Sequence, residues 1–319
     1  MASAAKNKYN KQTWLYMTST GLSLIETGMG KNALPYFDVK ATIAADNPLE
    51  SPGKHVAWVK KNAPSNINIL LSHALYQLLL SNVPDVPEAE LDDAIELKAA
   101  DLLSYDIDDA VIDVIQLPSE AYRGRMRMAF IIALRKTPIV DWMKALILQG
   151  IKTKIIDVEI TQLRNLAVFH QSLNTSGLLY LQPNQSRLAL TFNRELVLSR
   201  SFDIGLSSLI TETTIDDGEL ELTVTEDTKF EIQIESLVLE IRRSFDYYEA
   251  QLGLGSIAEM QFLCDEAHES IATELANRLG VRFVIMRPQD YVEIRLGEAS
   301  LDPVHFFGLT GLVYREALS

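Results

Sequence analysis

The chain has 319 residues, 47% hydrophobic and 23% charged, which is ordinary for a folded chain and long enough for two lobes or domains. Its net charge of −14 is spread along the length and repels phosphate backbones and anionic lipid, so neither nucleic acid nor direct membrane insertion is expected; only a local basic patch could override the mean. One cysteine, Cys264, in an apolar context, rules out a disulfide framework or a cysteine metal cluster and reads as a buried, inert thiol.

The first twelve residues are polar, with no apolar signal core behind them, and charges interrupt every apolar run before membrane-spanning length. A cytoplasmic protein is expected, reaching the membrane through a partner. Residues 13–17, 21–26 and 36–43 alternate as strands, and the short turns between them predict an antiparallel meander. Residues 47–53 break the pattern. Strands are predicted at 66–71 and 110–117, with a helix over 88–103 between them, entered past Pro84 and Pro87 with acids in its first turn. A strand at 127–134, a helix at 138–149, a strand at 154–158 and a helix at 161–173 follow. That alternation signals a sheet with helices on its faces.

The opening pattern then returns. Residues 177–181, 187–191 and 195–202 predict a second meander, turning at Pro183-Asn184 and Asn193. Residues 218–234 read as strand-rich, and 235–252 as the clearest helix, with Leu237, Val238, Ile241, Phe245, Tyr248 and Leu252 on one face. A strand at 260–264, a helix at 267–279 stopped by Gly280, a strand at 282–286 and an apolar segment at 306–315 complete the chain. Two lobes, each opening with a meander and continuing with helices, is the layout of the α/β actin-like (ribonuclease H-like) fold. The first lobe is expected over 1–175, with a small α+β subdomain inserted at about 47–135. The second is expected over 176–319, its segment 304–319 packing back toward the first.

Several segments in this order resemble one family: the acidic helix at 90–103 followed by Ala110-Val111-Ile112-Asp113-Val114, then Ile155-Ile156-Asp157-Val158-Glu159. Ser199-Arg200-Ser201-Phe202-Asp203-Ile204-Gly205 follows, then the helix from Leu239 to Gln251 with its Asp-Tyr-Tyr-Glu-Ala-Gln ending, and last Gly308-Leu309-Thr310-Gly311-Leu312. Together they resemble the PilM-like proteins of type IV pilus assembly over nearly the whole chain, the late helix looking most like the MshI proteins of mannose-sensitive haemagglutinin (MSHA) pili. The resemblance implies a cytoplasmic scaffold that docks the short N-terminal tail of a PilN-type bitopic inner-membrane protein, alongside other pilus assembly proteins, with homodimerisation open. No motif marks the tail-binding residues; the cleft between the first lobe and its insert is where they are expected.

Actin-like ATPases hold phosphates with two strand-turn-strand loops carrying Asp-x-Gly, one per lobe. Here the first loop offers Thr18, Ser19, Thr20 and Gly21, with no carboxylate. The second, from Tyr180 through Gln182 and Pro183 to Ser186, has neither aspartate nor glycine, and its proline removes a donor. The Gly-Gly turn that approaches adenine in the family aligns with Cys264-Asp265-Glu266-Ala267, where Asp265 and Glu266 would crowd the base and repel phosphate. No nucleotide, metal or catalytic residue is therefore expected, and the chain reads as a pseudo-ATPase. The alternative is an ATP-binding assembly protein with unusual phosphate loops, since Ser19, Thr20 and Gly21 could hold an anion weakly.

Asp203-Ile204-Gly205 imitates Asp-x-Gly out of register and reads as a turn into a helix, and Gly28-Met29-Gly30-Lys31 reads as a hairpin cap. His268 stands beside Asp265, Glu266 and Glu269, which a charged helix start explains better than a metal site. Asp157 and Glu159 are expected on one side of a strand, lining the cleft. Arg200, Arg242 and Arg243 are expected to pair with acids, and Tyr247 lies off the helix's apolar stripe.

Overall fold

The structure is a computed structural model that describes residues 11–30, 34–170, 175–209, 226–297 and 303–318. The chain divides into two compact units, one of residues 1–165, 288–301 and 309–319, the other of 166–287 and 302–308.

The first unit opens with β1 (Gln12–Met17), β2 (Gly21–Met29) and β3 (Pro35–Ala44), an antiparallel meander in which Trp14 faces Ile25 and Ile25 faces Val39 across the ladders. Trp14, Leu15, Met17, Leu24 and Ile25 are fully buried. A 3-10 turn at Pro48–Glu50 leads into α1 (Pro52–Asn62), where Pro52 presets the first turn and Lys60 and Lys61 complement the helix dipole at the last. The next strand, β4 (Asn66–Leu71), lies parallel to β1.

The chain then leaves the sheet for an insert. There β5 (Gln77–Asn82), α2 (Leu91–Ala100), β6 (Ala110–Gln116) and β7 (Met128–Arg135) build a three-stranded antiparallel sheet, order β5-β7-β6, packed on α2 through Ile95, Ala99 and Ile131. It returns through α3 (Lys136–Leu148) to β8 (Lys152–Val158), parallel to β4, and α4 (Glu159–Phe169). Buried Trp142 on α3 donates its indole N–H to Pro48 O at 2.9 Å.

The second unit repeats the meander with β9 (Thr175–Leu181), β10 (Ser186–Phe192) and β11 (Glu195–Phe202). Its second turn places Asn193 and Arg194 at φ 48° and 71°, a two-residue hairpin geometry. After α5 (Leu206–Leu209), the long α6 (Glu226–Asp246) runs into a π-helical turn at Tyr247–Leu252 that ends on Gly253 at φ 70°. Then β12 (Glu259–Leu263), α7 (Glu269–Leu279) and β13 (Arg282–Met286) complete a sheet of order β11-β10-β9-β12-β13. The chain goes back to the first unit with β14 (Glu293–Arg295), parallel to β3, making the larger sheet β14-β3-β2-β1-β4-β8. A 3-10 stretch at Pro303–Tyr314 and α8 (Arg315–Leu318) close the description.

Several expectations need correction. The insert expected at about 47–135 begins only after β4, because β4 is held in the main sheet between β1 and β8; α1 and β5 were not anticipated. Residues 226–234, expected in a strand-rich stretch, are helical: Phe230, Ile232 and Ile234 alternate by chance, while the buried positions Ile234, Leu237, Val238 and Ile241 follow the helical repeat and Ile232 is 55% exposed. The rest of that expectation, 218–225, lies outside the described residues, as do Lys31 and 171–173. The expected lobe boundary at 175/176 falls at 165/166, and 288–301 belongs to the first unit because β14 pairs with β3.

Candidate functional site

In the sheet orders of the first unit, β6 and β8 are both edge strands. They flank a cavity of about 530 Å³ between the insert and the main sheet. Its apolar wall comes from Val111, Ile115, Ile132, Leu134, Ile139 and Ile156; Val111 and Ile156 are still 40% and 38% exposed. Its polar end holds Asp157, Thr161, Arg164, Asn165 and Arg315. Asp157 Oδ2 accepts Arg315 Nε at 2.6 Å, and Oδ1 accepts Thr161 Oγ1 at 2.7 Å and Val158 N at 2.8 Å. The Arg315 guanidinium lies 5.8 Å from the centre of the Trp14 ring.

Arg315 comes from the far end of the chain, and one glycine allows it. At Gly311 the 3-10 stretch crosses α4 so closely that a Cβ would stand 2.1 Å from Gln162 O. Asn165 Nδ2 donates to Gly311 O at 3.4 Å, and Gln12 pairs with Glu316. Glu159 does not join the cavity as expected beside Asp157. It begins α4, is 2% exposed, and accepts the N–H of His73 at 3.1 Å. Tyr76 Oη accepts the Ile160 N–H at 3.2 Å, so the link from β4 into the insert is tied to the start of α4.

Both hairpin turns are tied down by hydrogen bonds of their own backbone. In the first unit Thr18 N donates to Gly21 O at 3.0 Å and Thr20 N to Thr18 Oγ1 at 3.2 Å, while Ser19 O and Thr20 O accept from Asn47 N and Ala45 N. In the second unit the turn is Gln182–Gln185, with Tyr180 and Ser186 inside the flanking strands. Gln182 N donates to Gln185 O, and the Gln182 and Pro183 carbonyls accept from Leu206 N and Ser207 N at 2.9 and 2.8 Å. Gly205 is packed so tightly on this turn that a Cβ would stand 2.4 Å from Gln185 N, which explains the Asp203-Ile204-Gly205 sequence as a turn into α5. Beside the turn, Arg187 is 5% exposed. The one hydrogen bond of its side chain among the described residues is a 3.5 Å contact from Nε to Gln182 Oε1, and Nη2 has no partner.

No family model matches the chain, and no curated protein matches it. Solved structures do. One, a PilM–PilN type IV pilus biogenesis complex, superposes with a TM-score of 0.63 at 18% identity, covering 97% of this chain and 99% of that one. Another, a protein of unknown function with an actin-like ATPase fold from Bacteroides thetaiotaomicron, gives 0.51 at 10% identity and covers 98% of both chains. The fold is actin-like.

An actin-like fold implies a nucleotide gripped by the two hairpins. Taken each within its own unit, they do not fit one. Neither carries a carboxylate, and the Thr18 and Thr20 N–H groups are already bonded within the first turn. At the third position Asp265 is engaged by His268, and Glu266 opens a short 3-10 turn. Cys264 is buried, which pushes its thiol up to about 12. Among the described residues no cluster of three or more His, Cys, Asp or Glu side chains is placed to hold a metal. Arg243 pairs with Glu240 as expected, but Arg242 donates to Arg278 O and Arg200 lies over the Tyr247 ring, 5.8 Å from its centre.

Proposed function

We propose that this chain is a PilM-like scaffold of a type IV pilus assembly platform, of the MSHA type, that acts at the cytoplasmic face of the inner membrane. It holds the tail of a PilN-type inner-membrane protein in the cavity between β6 and β8, and it no longer uses ATP. The observation that carries the reading is the cavity itself. Branched aliphatic side chains line one wall, a hydrogen-bonded Asp157–Arg315 pair closes the other, and an edge strand borders each side. An extended apolar peptide fits such a site, because main-chain hydrogen bonds supply affinity and alternate side chains enter the pocket. The fold shared with the PilM–PilN complex supports the same reading. Among the described residues no helix is long and apolar enough to cross a membrane, consistent with attachment through a partner.

The test is calorimetric titration of the full chain with a synthetic peptide of the PilN-type tail from the same operon. Ile156→Asp and Val111→Asp place a charge on half-exposed cavity positions and are expected to weaken binding by about tenfold or more with little loss of stability. Absence of binding, or binding indifferent to both substitutions, overturns the assignment of the site. Thermal unfolding with Mg-ATP tests the rest. A ligand at a hundred times its Kd stabilises by about 2.7 kcal/mol, so a clear upward shift in Tm would refute the loss of nucleotide binding.

A further inference from the structure

Set against a net charge of −14, residues 51–84 and 136–156 carry seven lysines and a single acid, Asp141. The fold gathers much of this charge at one end of the first unit, where α1 and α3 finish and β4 and β8 begin. Lys152 N donates to Ser65 O at 2.8 Å there, and Lys60 Nζ lies 4.0 Å from where a Cβ on Gly150 would stand. Lys60, Lys61, Lys152 and Lys154 are all exposed. At the same end, in the last turn of α3, two consecutive aliphatic residues are exposed to solvent: Ile147 at 62% and Leu148 at 84%. Nearby Lys144 is taken by Asp141 at 3.5 Å.

We infer that this end of the first unit is a docking surface for an anionic lipid bilayer. Leu148 and Ile147 enter the headgroup boundary while the four lysines meet lipid phosphates. Lysines at helix C-termini have a structural use in complementing the dipole, but that use does not explain Lys152 and Lys154 on an edge strand, nor two large aliphatic side chains offered to water beside them. Apolar tips within a cationic rim are the arrangement that interfacial membrane binding requires, since each element alone is too weak. The patch also reverses the expectation drawn from mean charge. The field near a membrane decays within about 8–10 Å at physiological salt, so the lysines at the contact decide the interaction and the distant acids do not. Exposed leucine gains nothing from a nucleic acid backbone, which is why lipid is the better partner.

The experiment is flotation of the purified full chain with vesicles, with no tail peptide present, so that it stands apart from the cavity. Phosphatidylcholine vesicles and vesicles enriched in phosphatidylglycerol are compared at about 0.05 M and about 0.5 M salt. Binding is expected to the anionic vesicles at low salt only. Each lysine near the surface contributes about fivefold, so Lys60→Glu/Lys61→Glu/Lys152→Glu is expected to lose at least about 100-fold, and Leu148→Ser several-fold. Arg282→Glu, an exposed position on the second unit, is expected to change nothing. No binding to anionic vesicles, equal binding to neutral ones, or indifference to the lysine substitutions overturns the proposal. So does retention of duplex DNA as tight as that of vesicles and unaffected by Leu148→Ser, which would mark a general polyanion surface.

Discussion

Gly311→Ala tests the close crossing that carries Arg315 into the cavity. The added methyl would stand 2.1 Å from Gln162 O and 2.7 Å from its carbonyl carbon, both backbone atoms of α4. Ordinary carbon–oxygen contact needs more than a further ångström, and no flexible side chain can supply it. The 3-10 stretch must lift from the helix, straining the 3.4 Å bond from Asn165 Nδ2 to Gly311 O and displacing the Arg315–Asp157 pair. Overpacking against movable side chains costs about 1–3 kcal/mol; against backbone the upper end is expected, about 3 kcal/mol. For a unit of this size that is a fall in Tm of roughly 6–12 °C. Differential scanning calorimetry reads it, with Gly53→Ala as the control. Gly53 lies in the first turn of α1 with nothing within 4 Å of its added Cβ, so alanine there should stabilise by about 0.5–1 kcal/mol. If Gly311→Ala moves Tm no more than Gly53→Ala does, the crossing is not as tight as described and the reasoning fails.

Arg187→Met should raise Tm, because it replaces a buried guanidinium that has no carboxylate partner among the described residues with an apolar chain of similar length; a gain of about 1–3 kcal/mol is expected. A loss would show that Arg187 has a counter-charge in solution. Burial lowers the His170 pKa to about 4. The unfolded chain therefore takes up a proton near pH 6.5 that the folded chain refuses, so stability falls as pH drops from about 6.5 toward 4. Because the ring is only partly enclosed, the loss from this group should be about 1–2 kcal/mol. Denaturant titrations of wild type and His170→Gln across that window should converge at neutral pH and separate below it; parallel curves would refute the shift.

How far the sequence discloses this fold depends on whether the signal is local. The two meanders are legible because each strand alternates and each turn is short, and the Asn193 turn was found from its residue type. The helix that closes on Gly280, at φ 68°, was legible for the same reason. α1 leaves no repeat in the sequence because just two of its side chains, Val56 and Val59, are buried, too few to print a helical pattern. β5 was missed because its apolar run has no alternation; its residues are mostly half-buried. That neither hairpin turn carries Asp-x-Gly is readable in the sequence, whereas the capture of the Gln182 and Pro183 carbonyls by the start of α5 depends on a contact more than twenty residues away in sequence. A cavity lies between the first unit's main sheet and its insert, the region to which family resemblance points, but no motif marks its lining. That β6 and β8 are edges follows from pairings among strands distant in sequence, which no local pattern encodes.

The division of the chain into units has a consequence for how it is made. Residues 166–287, the bulk of the second unit, form one continuous stretch, while the first unit is sewn from three pieces and needs 288–301 and 309–319 to finish. At about 5–20 residues per second, β14 leaves the ribosome on the order of ten seconds after α4. Until then β3 lacks its outer neighbour, and the cavity lacks Arg315 and the strap that brings it. The usual order, amino-terminal part first, is thus inverted: the later-encoded unit can settle before the earlier one is complete. Truncations near the carboxyl terminus should accordingly damage the unit encoded first, and a nascent chain halted before residue 288 should protect its second meander from protease better than its first.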